Sequence, residues 1–320
     1  LERILEEGAA HIEVRVLCET AVGPQRFPVY AVALGNPDPA LPAVGYFGGF
    51  HGLERIGAEV VLEFLRGLVA RLRWDSVLHR QLESLRMVFM PLVNPGGVFR
   101  GTRANPNGVD LMRNAPLDST ERVPFLIGGQ RLGAGLPWYR GPAGAPMEAE
   151  NLAVCRLVAE ELHVRDFSLV VDCHSGFGIH DRIWFPYAHS ALPVAHLAEI
   201  HALKEIHEQT CAHHNYLFEP QSRQYLAHGD IWDHLYRQAL RTQGGDAVSV
   251  DHSLSASFGA LPRFGGASGK SARVFCGPAS ENCRVPRSTP GSVTFGTLPM
   301  CCTISLSPES GTEKRRSHGR

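Results

Sequence analysis

The stretch Tyr46–Leu72, YFGGFHGLERIGAEVVLEFLRGLVARL, runs from an apolar, extended segment through two glycines into a long amphipathic segment. Apolar residues recur along its second half with helical spacing, which predicts a strand that ends at His51 and a helix over Leu53–Leu72. His51 and Glu54 stand at the junction with the spacing H-x-x-E. Their side chains converge if the residues between them turn into the helix, so the two are a candidate pair of metal ligands.

Segments with strand and helix patterns alternate on both sides of this stretch. Several of the predicted strands are apolar throughout, which is typical of a sheet covered by helices on both faces. The sequence therefore predicts an α/β fold with three layers, a mixed β-sheet between two layers of helices. The predicted strands cover 12–19, 27–35, 43–50, 85–93, 167–176 and 182–188, and the predicted helices cover 53–72, 148–163, 192–214 and 228–240.

Composition excludes several classes of partner. The chain has 320 residues and a net charge of −1, so neither nucleic acid nor an anionic membrane is an expected partner. No apolar run approaches the ~20 residues that a membrane-spanning helix needs, and the first residues lack the apolar core of a signal peptide. The predicted location is therefore cytoplasmic. The eight cysteines include no C-x-x-C pair, so a zinc site made of cysteines is not expected.

A third candidate ligand follows another apolar strand. The segment FSLVVDCHSG ends its apolar run at His174, 120 residues beyond Glu54. Functional sites of open α/β sheets collect where the strands end, and a catalytic zinc uses three protein ligands and one water. His174 is therefore the best candidate to complete a set with His51 and Glu54. The alternative is that each histidine only makes a hydrogen bond at a strand end, and with 16 histidines in the chain a chance pairing is easy.

A further segment, FRGTRANPNGVDLMRNAP over Phe99–Pro116, makes the pattern specific. The order of motifs along the chain resembles that of the M14 family of zinc metallocarboxypeptidases. The motifs are H-x-x-E after a strand, then Thr-Arg, then GVDLMRN, and then a histidine after an apolar strand. The resemblance covers roughly Ala43 to Tyr236. Within the family it points to the bacterial branch that also contains members resembling deacylases and amidases.

The resemblance implies a cofactor, a substrate and a role for each matching residue. Zn²⁺ would be held by His51, Glu54 and His174. Arg103 would polarise the scissile carbonyl and stabilise the oxyanion, and Arg113 would bind the substrate's terminal carboxylate. The implied activity is hydrolysis of a C-terminal peptide bond or a related amide bond, in a small peptide or N-acyl amino acid with a free carboxylate.

Two departures from the family pattern bear on activity. Met112 stands where the family usually has an asparagine, which removes a hydrogen-bond donor to the terminal carboxylate. The family's general base, a glutamate in a late apolar strand, has no clear counterpart. Glu281 is the first acidic residue after Asp251, but its surroundings resemble a loop. Two alternatives therefore stay open, a zinc-binding relative without turnover and an N-acyl amino acid deacylase.

The last part of the chain differs in composition from the rest. Residues 251–320 are rich in Ser, Gly, Pro and Arg and lack Trp and Tyr. The sequence predicts a zinc carboxypeptidase-like domain over 1–250 and a C-terminal tail of low order over 251–320. That tail is native, disordered or the product of a shifted reading frame.

Overall fold

The computed structural model describes residues 1–175, 180–211, 216–243, 254–257 and 270–277. Strands and helices alternate along most of this length, as the sequence predicts. The strands are β1 Glu13–Val22, β2 Gln25–Gly35, β3 Ala43–Gly48, β4 Arg86–Met90, β5 Ser168–Ser175, β6 Arg182–Phe185, β7 Leu217–Pro220, β8 Leu254–Ser257 and β9 Lys270–Gly277. The helices are α1 Glu2–Gly8, α2 Arg55–Leu72, α3 Ser76–Glu83, α4 Pro95–Arg100, α5 Ala149–Glu161, α6 Leu197–Thr210 and α7 Ile231–Gln243.

The described strands form one mixed sheet. Their order is β1-β2-β4-β3-β5-β9-β6-β7, and β8 pairs with β9 outside this path. In the half that carries the N-terminal strands, β3 is parallel to both β4 and β5, whereas β1, β2 and β4 pair antiparallel. The predicted mixed sheet is confirmed.

Both faces of the sheet are covered by helices. In β4, Met87 and Phe89 pack into one apolar cluster, whereas Val88 and Met90 pack into another. Since successive side chains of a strand point to opposite faces, the two clusters lie on opposite sides of the sheet. Helices α1, α2 and α3 contribute to the first cluster, and α5, α6 and α7 contribute to the second. The predicted three layers are therefore present.

Some short elements were not predicted from the sequence, namely α1, α3, α4 and β7. The start of helix α3 has a signal in the sequence, because Asp75 is a preferred N-cap residue. Its carboxylate accepts hydrogen bonds from the backbone N–H groups of Val77 and Leu78. Helix α6 is shorter than the predicted 192–214 and covers Leu197–Thr210. Within the predicted tail of low order, the structure describes two strands, β8 and β9. The rest of that segment, including Glu281, lies outside the described residues, and the domain boundary at residue 250 stays a prediction.

No helix in the described part of the chain combines the length and the apolar character that crossing a bilayer requires.

His163 gives the fold a measurable pH dependence. This partly buried side chain follows α5, and burial lowers its pKa from 6.5 to about 4. Between these two values the unfolded chain binds a proton that the folded chain does not, so the free energy of unfolding falls as pH falls. One pKa unit corresponds to about 1.4 kcal/mol, so the expected loss between pH 7 and pH 5 is about 2 kcal/mol.

Urea denaturation of the wild type and His163→Gln at both pH values measures this loss. We expect the variant to lose about 2 kcal/mol less than the wild type between pH 7 and pH 5. An equal loss in both proteins would mean that His163 does not contribute.

Candidate metal centre

The sheet brings His51 and His174 to the same edge. Strands β3 and β5 are parallel neighbours, with Phe47 opposite Asp172 and Gly48 opposite Cys173. Their carboxyl ends therefore lie side by side, and His51 follows one end while His174 lies at the other. The centroids of the two imidazole rings are 5.1 Å apart.

The junction between β3 and α2 places Glu54 beside these histidines. The backbone N–H of Glu54 donates to the carbonyl oxygen of His51 at 3.0 Å, and Glu54 directly precedes the first residue of α2. The first turn of α2 lies against the end of β5, because a Cβ added to Gly57 would be only 2.1 Å from the carbonyl oxygen of Cys173. This approach requires glycine, and it sets the carboxylate of Glu54 next to the ring of His174.

The three predicted ligands converge. His51, Glu54 and His174 each offer one ligand atom, and these atoms all lie within 4.8 Å of one another. Oε2 of Glu54 accepts a hydrogen bond from the backbone N–H of Ser175 at 2.9 Å and lies 3.1 Å from Nδ1 of His174. Oε1 of Glu54 accepts from Nη1 of Arg103 at 3.3 Å.

The donor atoms of this cluster fit a divalent cation. Nδ1 of His51 is buried and has no hydrogen-bond partner among the described residues. Nε2 of His174 is bonded to Oδ2 of Asp172 at 2.7 Å, so the nitrogen left facing Glu54 is Nδ1. Two imidazoles and one carboxylate, gathered at a buried strand edge, are a donor set that zinc prefers. A cation between them would satisfy the atom of His51 that lacks a partner.

The charges around the cluster shift the pKa values of its members. Burial and the guanidinium of Arg103 hold the pKa of His51 well below its usual value, so its imidazole stays neutral and able to ligate. Burial opposes ionisation of Glu54, but the neighbouring His51, His174 and Arg103 lower its pKa to about 2. Burial also disfavours a charged His174, but the carboxylates of Asp172 and Glu54 raise its pKa to about 9.

Arg103, the predicted oxyanion-stabilising residue, lies beside the cluster. Its Nε donates to Oδ2 of Asp110 at 2.8 Å, and its Nη1 contacts Glu54 as described above. Oδ1 of Asp110 lies 3.7 Å from Nδ1 of His51 and accepts from the backbone N–H of Met112 at 3.0 Å. Asp110 therefore holds Arg103 close to the cluster while its other oxygen faces a predicted ligand.

Arg113, the predicted carboxylate-binding residue, is almost fully buried at 1% exposure. Its Nη1 donates to the carbonyl oxygen of Met112 at 2.9 Å and its Nε to that of Ile127 at 3.3 Å. Its Nη2 donates to the hydroxyl of Tyr225 at 3.2 Å, and the guanidinium carbon lies 5.6 Å from the centroid of that ring. The two carbonyls fix the plane of the guanidinium, and Tyr225 covers the end that carries Nη2.

Met112 occupies a core position. Its side chain is 1% exposed and packs in the apolar cluster on the face of α5 and α7. It supplies apolar packing there, while its carbonyl oxygen helps to orient Arg113.

Sequence reasoning missed Asp110 and Tyr225 as members of this site. Asp110 had a signal, because it is the acidic residue inside the GVDLMRN segment that contributed Arg113. Tyr225 lies 112 residues beyond Arg113, and nothing in its local sequence marks it as a partner of that arginine. Glu281, the residue considered from the sequence as the general base, lies outside the described residues.

Comparison with known proteins identifies relatives of this chain. The family model for zinc carboxypeptidases of the M14 peptidases matches residues 24–246. Carboxypeptidase SOL1 of Arabidopsis thaliana is 30% identical over 93 residues, which cover 28% of this chain and 19% of the relative. The catalytic chain of human carboxypeptidase N is 26% identical over 155 residues, 44% of this chain and 32% of the relative. The chain thus spans about a fifth to a third of the length of these two relatives.

Two solved structures share the fold. Thrombin activatable fibrinolysis inhibitor superposes with a TM-score of 0.58 at 19% identity, over 74% of this chain and 61% of that chain. Carboxypeptidase A from Helicoverpa armigera gives a TM-score of 0.58 at 16% identity, over 74% of this chain and 59% of that chain. At these identities the superpositions show a common architecture.

Proposed function

The chain belongs to the M14 family of zinc carboxypeptidases, and from that premise we propose that it is a zinc-dependent hydrolase of a C-terminal peptide bond or a related amide bond. The observation that carries this proposal is the convergence of His51, Glu54 and His174, together with the buried Nδ1 of His51, which has no hydrogen-bond partner among the described residues. The proposed substrate is a small peptide or N-acyl amino acid with a free carboxylate.

His51, Glu54 and His174 would hold the zinc. When bound, zinc supplies a water whose pKa is lowered to about 7 and polarises a carbonyl oxygen. The chain's own contribution begins with the ionisation of its ligands. Glu54 is a carboxylate throughout the physiological pH range because its pKa lies at about 2, and His51 is neutral.

Arg103 supplies positive charge where the reacting carbonyl oxygen becomes negative. Asp110 holds its Nε at 2.8 Å, and the pKa of Arg103 is raised because Asp110 and Glu54 outweigh the effect of burial. The cation is therefore permanent and anchored. A fixed cation beside a developing oxyanion stabilises the transition state more than the ground state.

Arg113 binds the substrate's carboxylate in this proposal. Its Nε and one Nη1 hydrogen are committed to backbone carbonyls, and Nη2 donates to the hydroxyl of Tyr225. A carboxylate that takes the place of the Tyr225 hydroxyl could accept two parallel hydrogen bonds from the guanidinium. Tyr225 would then have to move aside.

A second candidate is a zinc-binding relative without turnover. Besides Glu54, two carboxylates among the described residues lie next to the proposed histidine ligands, namely Asp110 near His51 and Asp172 at His174. Asp110 is engaged by Arg103 and by the backbone N–H of Met112, and Asp172 by His174 and Trp232. Both oxygens of Asp110 are engaged, and Asp172 contacts the ring nitrogen of His174 that faces away from Glu54. The general base would therefore have to come from elsewhere in the chain.

One assay separates these candidates. The full chain is purified, its zinc content is measured, and hydrolysis is followed for an N-acyl dipeptide, its C-terminal amide and an N-acyl amino acid. We expect about one zinc per chain and cleavage of the N-acyl dipeptide. Zinc without turnover supports the inactive relative, and cleavage of the N-acyl amino acid alone supports a deacylase. A chain that binds no zinc contradicts the proposal.

A further inference from the structure

Asp172 lies behind His174, on the side away from Glu54. Oδ2 of Asp172 accepts from Nε2 of His174 at 2.7 Å and from Nε1 of Trp232 in α7 at 2.7 Å. Asp172 is fully buried, and Trp232 is 1% exposed. Oδ1 of Asp172 has no hydrogen-bond partner among the described residues. A single carboxylate oxygen thus accepts one hydrogen bond from the imidazole of His174 and one from the indole of Trp232.

This arrangement fixes which nitrogen of His174 carries a proton. An ionised carboxylate only accepts hydrogen bonds, so Nε2 of His174 must be the donor. The other ring nitrogen, Nδ1, lies 3.1 Å from Oε2 of Glu54. A cation between these two atoms would be bound by Nδ1 through its lone pair, while Nε2 keeps its proton on Asp172.

The orientation of the ring is fixed as well. Phe50 stacks on His174 with ring centroids 6.1 Å apart and an interplanar angle of 25°. The same Phe50 contacts the edge of Trp232 at 5.8 Å, and Phe47 contacts Trp232 at 5.0 Å. Trp232 is therefore packed against β3 and the residues that follow it, and this packing holds its N–H on Asp172.

We propose that Asp172, held by Trp232, is a positioning residue that makes His174 present Nδ1 to the metal. This inference rests on the proposed zinc site and adds to it a reason for the D-x-H spacing of β5. Two residues apart on one strand, Asp172 and His174 have side chains on the same face, which allows the contact. Partners of this kind typically change metal affinity 10- to 100-fold when they are removed.

The test compares zinc affinity of the full-length wild type with Asp172→Ala and Asp172→Asn, measured by competition with a chromophoric chelator. We expect the zinc Kd to rise about 10- to 100-fold in Asp172→Ala. Asp172→Asn keeps the volume and one acceptor oxygen but removes the charge, so a smaller rise of about 10-fold is expected. If the alanine variant does not fold, the asparagine variant decides the question. Wild-type affinity in the asparagine variant would then overturn the proposal.

A spectroscopic readout separates positioning from general loss of stability. Co²⁺ replaces Zn²⁺ in each protein, and its visible absorption reports the ligand atoms and their geometry. We expect an altered Co²⁺ spectrum in both Asp172 variants and a partial change in Trp232→Phe, which removes the indole N–H donor together with part of the ring packed against Phe47 and Phe50. Unchanged spectra in all three variants would overturn the proposal.

Asp233 provides the matched control. It is a buried aspartate of α7 that accepts from Nδ1 of His189 at 2.7 Å, and its hydrogen bonds reach none of the three proposed ligands. Asp233→Asn should lower the free energy of unfolding but leave the zinc Kd and the Co²⁺ spectrum unchanged. If the wild type binds no zinc, the proposed function fails. If the wild type and the Asp172 variants bind equally well, only the positioning role fails.

Discussion

A His51→Ala variant will lose the single tightly bound zinc that we expect in the wild type. His51 is 3% exposed, and its Nδ1 has no hydrogen-bond partner among the described residues, so the alanine variant loses one of the three proposed ligand atoms. Structural zinc in zinc-finger peptides binds with an apparent free energy of about 10–16 kcal/mol, shared among a few ligands. Removal of one of three should cost at least about 3 kcal/mol, which is more than a 100-fold loss of affinity.

The measurement is zinc per chain after dialysis against a weak chelator. His11→Ala is the control, because His11 is exposed and distant in sequence from the cluster. The control should retain about one zinc per chain. If the His51 variant retains one tightly bound zinc, the metal binds elsewhere in the protein. The assignment of His51, Glu54 and His174 as ligands would then be wrong.

The second large effect is expected for Arg113→Ala. The variant should bind an N-acyl amino acid far more weakly than the wild type does, while binding of the corresponding amide changes little. Truncation of one partner of a buried charge pair costs about 2–5 kcal/mol, so we expect a loss of roughly 30-fold or more for the carboxylate. Calorimetric titration with both ligands measures this difference whether or not the protein turns substrate over.

Two further variants sharpen the interpretation. Arg113→Lys keeps the charge but cannot form two parallel hydrogen bonds, so it should restore only part of the affinity. Arg131→Ala removes an exposed cation whose Nη1 donates to the carbonyls of residues 140–142, and it should leave both affinities unchanged. If Arg113→Ala weakens the carboxylate and the amide equally, Arg113 does not recognise the carboxylate.

The predictable part of the fold follows from long segments with one clear pattern. The apolar strand that ends at Gly48 and the amphipathic helix that follows were visible because a buried parallel strand and a helix leave different periodicities. Short elements escaped because they have too few residues to show a period. Strand β7, for example, has only four residues and contains a proline and a glutamate.

Some contacts of the candidate site were likewise predictable from the sequence, and others were not. The pairing of His51 with Glu54 was predictable from local spacing, and their meeting with His174 from the rule that neighbouring parallel strands end at one edge. The contact of Trp232 with Asp172 was not, because it joins residues 60 apart through the packing of a helix on the sheet. Tyr225 escaped for the same reason. Contacts of this kind depend on how elements pack, which local periodicity does not encode.

The close approach of Gly57 to Cys173 has a consequence for how this protein can change over evolutionary time. The backbone of α2 contacts the backbone of β5 directly at this point. The distance between the helix that follows Glu54 and the strand that carries His174 is therefore not set by the size of a side chain between them. Apolar residues deeper in the sheet can be exchanged, and the helix can repack around them, without altering that gap. Any residue other than glycine at position 57 would push the two elements apart by roughly 1 Å. Apolar core residues can therefore change in this protein, whereas position 57 has to remain glycine.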